Sequence, residues 1–186
     1  MNFSSLSPGF ASSLDAQACF RAVLAAFATP GMAVTLPVAL TPPPGVSSAA
    51  AAVALTLVDA QTSVAAPELA HDWLAFHTGA RLVAAEEADF VVADAPLKLG
   101  SLRQGTDIAP EDSATLILDL PCLAGSEFRL SGPGLREPVT VTLPLSPAFL
   151  ADWRAQTHTA PRGVDVLLCA GTKMLALPRS LRIEEV

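Results

Sequence analysis

Two apolar runs hinged on a two-residue turn set the first constraint on this chain: Val164 to Ala170 and Met174 to Leu177, on either side of Gly171-Thr172 and Lys173. Val164, Val166 and Leu168 alternate with Asp165, Leu167 and Cys169, so a single acid interrupts a stretch that is otherwise apolar. A short apolar run bounded by turn residues reads as a buried strand, and a glycine-containing break of this length predicts a hairpin. Two central strands are therefore expected here. Thr115 to Leu118 is apolar on both faces as well, which is typical of a sheet covered by helices.

The other elements follow in order. Ser13 or Asp15 can cap a helix in which Phe20, Val23, Leu24 and Phe27 recur at helical spacing and are expected to face inward, and Pro30-Gly31 ends it. Met32 to Leu36 predicts a short strand, and Thr41 to Gly45 a stiff proline loop. Ser47 or Ser48 caps an alanine-rich helix to about Val58, which must be covered on most sides by its own domain or by a neighbouring subunit. Strands are expected near Ser63 to Ala65, Leu82-Val83 and Phe90 to Ala93, and a helix after Pro67 whose stripe is Leu69, Trp73 and Phe76. Leu97 to Leu102 predicts a short helix. Beyond it, Glu127 to Ser131, turning at Gly132-Pro133-Gly134 into Val139 to Leu143, predicts two more strands, and Pro147 to about Gln156 a helix with Phe149, Leu150 and Trp153 inward. Interleaved strands and helices predict an α/β layered sandwich with a central mixed sheet flanked by helices. Residues 1–14 read as an N-terminal arm and 15–186 as one domain.

Charge narrows the function classes. The chain carries 11 basic and 18 acidic side chains, yet Arg154 to Arg182 holds five bases against Asp165 alone. An acidic chain with two lysines excludes a nucleic-acid binder, which needs clustered bases to neutralise phosphates. Only 16% of residues are charged, against about 25% in an average globular protein, so some exterior must be apolar and favours a partner or self-association. The longest clean stretch of the uncharged region, Ser47 to Val58, is 12 residues, short of the roughly 20 that cross a membrane. With no base before Arg21 to make the charged start of a secretory signal, a cytoplasmic protein is expected. Cys19, Cys122 and Cys169 have neither metal-knuckle nor paired spacing and read as buried thiols.

Candidate chemistry is sparse. Arg162, Lys173, Arg179 and Arg182 can form a basic rim for an anion or an acidic partner, and ordinary ion pairing explains them as well. On the rim reading, Arg179→Ala weakens that binding with little change in thermal stability. The Gly105 to Asp112 loop gathers Thr106, Asp107, Glu111 and Asp112, which read as solvated groups before they read as cation ligands. His71 and His77 are six apart on one helix, about 120° divergent, so they are not a ligand pair; His77 and His158 read as helix-end groups. No catalytic residue and no metal site is assigned.

A set of short motifs occurs in a specific order: Asp15-Ala16-Gln17 with Phe20-Arg21, Pro30-Gly31, Phe76-His77-Thr78, Gly105-Thr106, Ala109-Pro110-Glu111 with Ala114 to Leu118, Gly132-Pro133-Gly134, Gly163-Val164-Asp165 and Pro178-Arg179. Between about Asp15 and Glu184 the chain resembles the PhnH family, the H subunit of the bacterial carbon–phosphorus lyase core complex. Arg21, His77, Thr106, Glu111 and Asp165 are the family-motif positions this singles out. The resemblance implies phosphonate catabolism with the G, I, J and L subunits. There a phosphonate displaces adenine from MgATP to give a ribose 1-phosphonate 5-triphosphate. It also implies a fold similar to a reduced pyridoxal-phosphate-dependent transferase, without the cofactor, and a homodimer when isolated. The Pro42 to Gly45 loop and the helix after it depart from the family pattern. A pyridoxal site needs a Schiff-base lysine and a phosphate cradle, and only Lys98 and Lys173 are available, so no cofactor is expected. A structural, partner-binding subunit is the first reading; a stand-alone transferase with an anion or pyridoxal-like ligand site is the second.

Overall fold

A seven-stranded mixed sheet in the order β1-β9-β8-β5-β4-β2-β3 runs through the middle of the computed structural model, which describes residues 7–186. Its strands are β1 (Val34–Thr35), β2 (Ser63–Ala65), β3 (Arg81–Leu82), β4 (Phe90–Ala93), β5 (Thr115–Asp119), β8 (Asp165–Ala170) and β9 (Lys173–Leu177). From β3 to β8 neighbours run parallel, whereas β9 is antiparallel to both β8 and β1. The hairpin forms as the sequence predicts, with Ala170 opposite Lys173 and Val166 opposite Leu177.

Strand alternation sorts the side chains into two cores. Ile117, Leu167, Cys169, Met174 and Ala176 face α1 (Ser13–Ala28), α2 (Ser48–Leu57) and α3 (His71–Thr78). Leu116, Leu118, Val166, Leu168, Leu175 and Leu177 face α4 (Pro147–Thr157) and a second sheet. Both faces of the strands are therefore buried, which is why their sequence is apolar at every position. The second sheet is antiparallel, in the order β10-β6-β7, and comprises β6 (Ser126–Ser131), β7 (Val139–Leu143) and β10 (Arg182–Glu185). Sequence reading foresaw β6 and β7 but neither their separation from the main sheet nor β10. In β10 only Ile183 is buried, so the short charged tail carries almost no strand signal.

Helix α2 is covered within its own fold. Ala49 to Val53 are fully buried between the sheet, α1, α3 and the preceding proline loop. Because alanines line this helix, α1 approaches it closely, and the α1 residues that fit the contact are small: Cys19, Val23 and Ala26. That displaces the large residues. Phe20 and Leu24, expected inside, are 45% and 52% exposed, and Phe27 is only partly buried. The same correction applies to α3, where Trp73 and Leu74 are buried while Leu69, in the 3-10 turn at 68–70, and Phe76 point outward. The α1 cap is Ser12, one residue before the expected Ser13, in a capping box with Asp15. Gly79 ends α3 at φ 69°, a left-handed turn that glycine adopts without strain. Cys19 and Cys169 are buried, and burial pushes both thiols up, whereas Cys122 is exposed, contrary to expectation.

Candidate functional site

Three connecting segments converge at the amino-terminal end of the parallel strands. One is the loop Gly105 to Asp112, another the segment His158 to Gly163 that follows α4, and the last the Pro178 to Leu181 turn leaving β9. Gly105 must be glycine: its φ is +68° and a Cβ would lie 2.7 Å from the Pro110 carbonyl oxygen. Thr106 Oγ1 accepts from the Ala109 amide at 2.9 Å, so this family-motif threonine holds the loop's own turn. Gly163 donates its amide to the Gln104 carbonyl at 3.0 Å, which ties the second segment to the first.

Arg179 closes this end. Its Nε and Nη2 donate to Asp165 Oδ2 at 3.2 and 2.6 Å, its amide donates to Asp165 Oδ1 at 2.7 Å, and Nη1 donates to the Pro110 carbonyl at 2.7 Å. Both side chains are about one-fifth exposed, at 20% and 19%. Such a guanidinium is committed to the fold, so for Arg179 the ion-pairing alternative to the basic rim describes the geometry, and the pair forms a clamp. The other rim members are dispersed. Arg162 pairs through Nε with the exposed Asp107 at 3.1 Å. Lys173 starts β9, at the far end of that strand from Arg179, and Arg182 starts β10 in a hollow shared with Arg154 and His158 of the α4 end.

The remaining motif positions are spread over the molecule. Arg21 is exposed on α1 and Glu111 is exposed in the loop. His77 stands in the last turn of α3, as expected, and its Nε2 lies 3.1 Å from the Ser7 carbonyl, which also accepts from Trp73 Nε1 at 2.8 Å. A carbonyl only accepts, so Nε2 of His77 carries the proton and the pair fastens the described part of the N-terminal arm to α3. The arm's first six residues lie outside the described residues. Among the described residues no group of three or more histidines, cysteines or carboxylates is placed to hold a metal ion.

At the opposite end of the sheet, where open α/β folds usually place a ligand, the N-terminus of α2 is filled by protein acceptors. Ser47 Oγ accepts from the Ala50 amide at 3.2 Å, Asp119 Oδ2 from the Ser47 amide at 2.5 Å, and the Gly171 carbonyl from the Ala49 amide at 2.8 Å. No amide among these three is left for a phosphate.

Asp89 marks the junction of β2 and β4. Burial pushes its carboxyl up, but the hydroxyl and amide of Ser63 and the Arg103 guanidinium outweigh burial and hold it below the usual carboxylate range. Its contribution is complete above the unfolded-state value near 3.9 and is lost as pH falls through the lower folded value. Asp89→Asn is expected to cost about 1–2 kcal/mol at neutral pH, because one acceptor oxygen is lost at a site that solvent still reaches. Urea midpoints should then fall less steeply below about pH 4 in the variant than in the wild type; equal slopes would remove Asp89 from the acid response.

Sequence reading found Asp165 and Arg179 separately. The signal that joins them was available: a two-residue turn at Gly171-Thr172 places Asp165 beside the residues just after Leu177. Gln104, Asp152 and Gln156, which line a cavity with Lys98 next to this clamp, were missed because they come together only in the fold.

Comparison with known proteins agrees in placing the chain. The family described as bacterial phosphonate metabolism protein (PhnH) matches residues 8–184. A Rhizobium meliloti (strain 1021) protein named alpha-D-ribose 1-methylphosphonate 5-triphosphate synthase subunit PhnH is 34% identical over 181 residues, which cover 91% of this chain and 90% of that one. A Stutzerimonas stutzeri protein named putative C-P lyase subunit protein HtxG is 33% identical over 180 residues, covering 90% and 85% respectively.

Proposed function

The chain belongs to the PhnH family of bacterial phosphonate metabolism proteins, and from that premise we propose that it is a subunit of the carbon–phosphorus lyase system, acting with the G, I and L subunits to form a ribose 1-alkylphosphonate 5-triphosphate from MgATP and a phosphonate. The observation that carries this is the end-to-end match, nine-tenths of both chains, to a relative named as a subunit of that synthase.

The geometry supports a role in assembly over chemistry performed alone. Lys98 and Lys173 are both exposed, so neither amine is desolvated as a Schiff-base lysine would be, and the Ser47, Ala49 and Ala50 amides at the start of α2 are taken by protein acceptors. Meanwhile large apolar side chains stand outside: Leu14, Phe20 and Leu24 on α1, Met32 after it, and Ile108, 96% exposed, at the tip of the Gly105 to Asp112 loop. Such surface supports contact with the G, I, J and L subunits and, for the isolated chain, a homodimer. No described helix is long and apolar enough to cross a membrane, and a cytoplasmic location fits the chemistry proposed. The seven-stranded sheet, parallel at its centre with one antiparallel strand near an edge, supports a reduced relative of the pyridoxal-phosphate-dependent transferases built as one domain over residues 15–186.

Co-expression with the G, I and J subunits tests the proposal. The tagged chain is expected to elute with them in size-exclusion chromatography, and elution of the chain alone would refute it. Phe20→Glu with Leu24→Glu should abolish one association, with partners or with a second copy, at little cost in melting temperature because both residues are exposed.

A further inference from the structure

Between the face of α4 and the segment 98–104 lies a cavity of about 290 Å³. Its walls are fixed by hydrogen bonds independent of any ligand. Asp152 Oδ2 accepts from the Leu99 amide at 2.8 Å, locking the 3-10 turn at 99–101 against the helix. The Gln104 amide nitrogen donates to the Leu99 and Leu102 carbonyls at 2.6 and 2.9 Å. Gln156, 5% exposed, spends both ends of its amide on the backbone of Val164, at 3.0 and 3.1 Å. The cavity is thus preformed, which lowers the entropic cost of binding.

Two cations line it, Lys98 and Arg162. Among the described residues no carboxylate lies within ion-pair distance of the Lys98 ammonium, and Arg162 engages Asp107 through Nε at 3.1 Å, which leaves its terminal nitrogens. Ala155 and Gly100 supply an apolar wall. A hollow of this size, open on one side, has room for a charged head and a few carbons.

We propose that this cavity binds a small organic oxyanion of the phosphonate or phosphate-ester class, its head held by Lys98 and Arg162 and its short carbon chain laid against Ala155 and Gly100. Arginine engages such a head through paired N–H groups and lysine adds a point charge, so a doubly charged tetrahedral head gains more than a carboxylate. The Asp152 carboxylate on the α4 wall repels an anion placed against it, so the head is held at the two cations. The oxyanion inference rests on these residues; preference for a phosphonate among oxyanions rests on the family reading above.

Calorimetric titration of the purified full chain tests it with ethylphosphonate, ethyl phosphate, inorganic phosphate and propionate. Both ethyl anions should bind at about millimolar affinity or better, and inorganic phosphate and propionate about tenfold more weakly. Tighter binding of ethylphosphonate than of ethyl phosphate would identify the phosphonate as the source, and the reverse order the ester. Lys98→Ala and Arg162→Ala should each reduce affinity about tenfold with an unchanged melting temperature, since the Arg162 pair is exposed and contributes little stability. Absence of heat at about 20 mM ethylphosphonate and ethyl phosphate, equal affinity for inorganic phosphate, or undiminished binding in both variants would overturn the proposal. Co-elution with the G, I and J subunits is a separate readout, so failure of the cavity and failure of the family role are distinguishable.

Discussion

Arg179→Met is expected to destabilise the protein by about 3 kcal/mol, a fall in melting temperature of about 6–12 °C for a domain of this size. The argument is one of orphaned groups. Removing the guanidinium leaves Asp165 Oδ2 and the Pro110 carbonyl without their donors in a setting only one-fifth exposed, and an uncompensated charge there costs more than the pair itself contributes. The partner replacement supplies the internal control. In Arg179→Met with Asp165→Leu no buried charge remains unpaired, and the loss should be smaller than the sum of the two single losses by about 1–3 kcal/mol. If the single variant melts normally while association with other subunits falls, the clamp is not structural and the arginine acts at a surface after all. Loosening of the Gly105 to Asp112 loop should accompany the loss, because Pro110 is that loop's tie to the hairpin.

Trp153→Ala is expected to be worse, about 4–5 kcal/mol and about 8–20 °C. The indole is fully buried, stacks on Phe149 with ring centroids 5.9 Å apart, and donates from Nε1 to the Leu181 carbonyl at 2.8 Å. Truncation opens a cavity between α4 and the second sheet, and it strands a carbonyl in the turn that leads into β10. Trp153→Phe keeps most of the apolar area and loses the hydrogen bond, so it should cost about 1–3 kcal/mol. Denaturant unfolding of the two variants separates the terms; equal losses would mean the carbonyl bond carries the effect.

Strands were legible in the sequence wherever both faces are buried, because β5, β8 and β9 are apolar at nearly every position and bounded by turn residues. Helix orientation was less legible. In α1 nearly every candidate position is apolar, so spacing alone favoured the large side chains, while the close approach of an alanine helix selects Cys19, Val23 and Ala26 for the inside. What decides the facing lies on another element. The candidate site divides in the same way: Asp165 and Arg179 are joined by hairpin register, a local rule, whereas the cavity draws on residues as far apart as Lys98 and Arg162, which no local rule connects.

The two-residue strands at the margins of the large sheet, β1 and β3, bear on how this protein can meet other chains. An incoming extended peptide would find barely two positions of open ladder on either side, too few to seed templated growth or to hold a foreign strand by main-chain bonding. Recognition through the large sheet must therefore be written in side chains, on the helical surfaces that cover it.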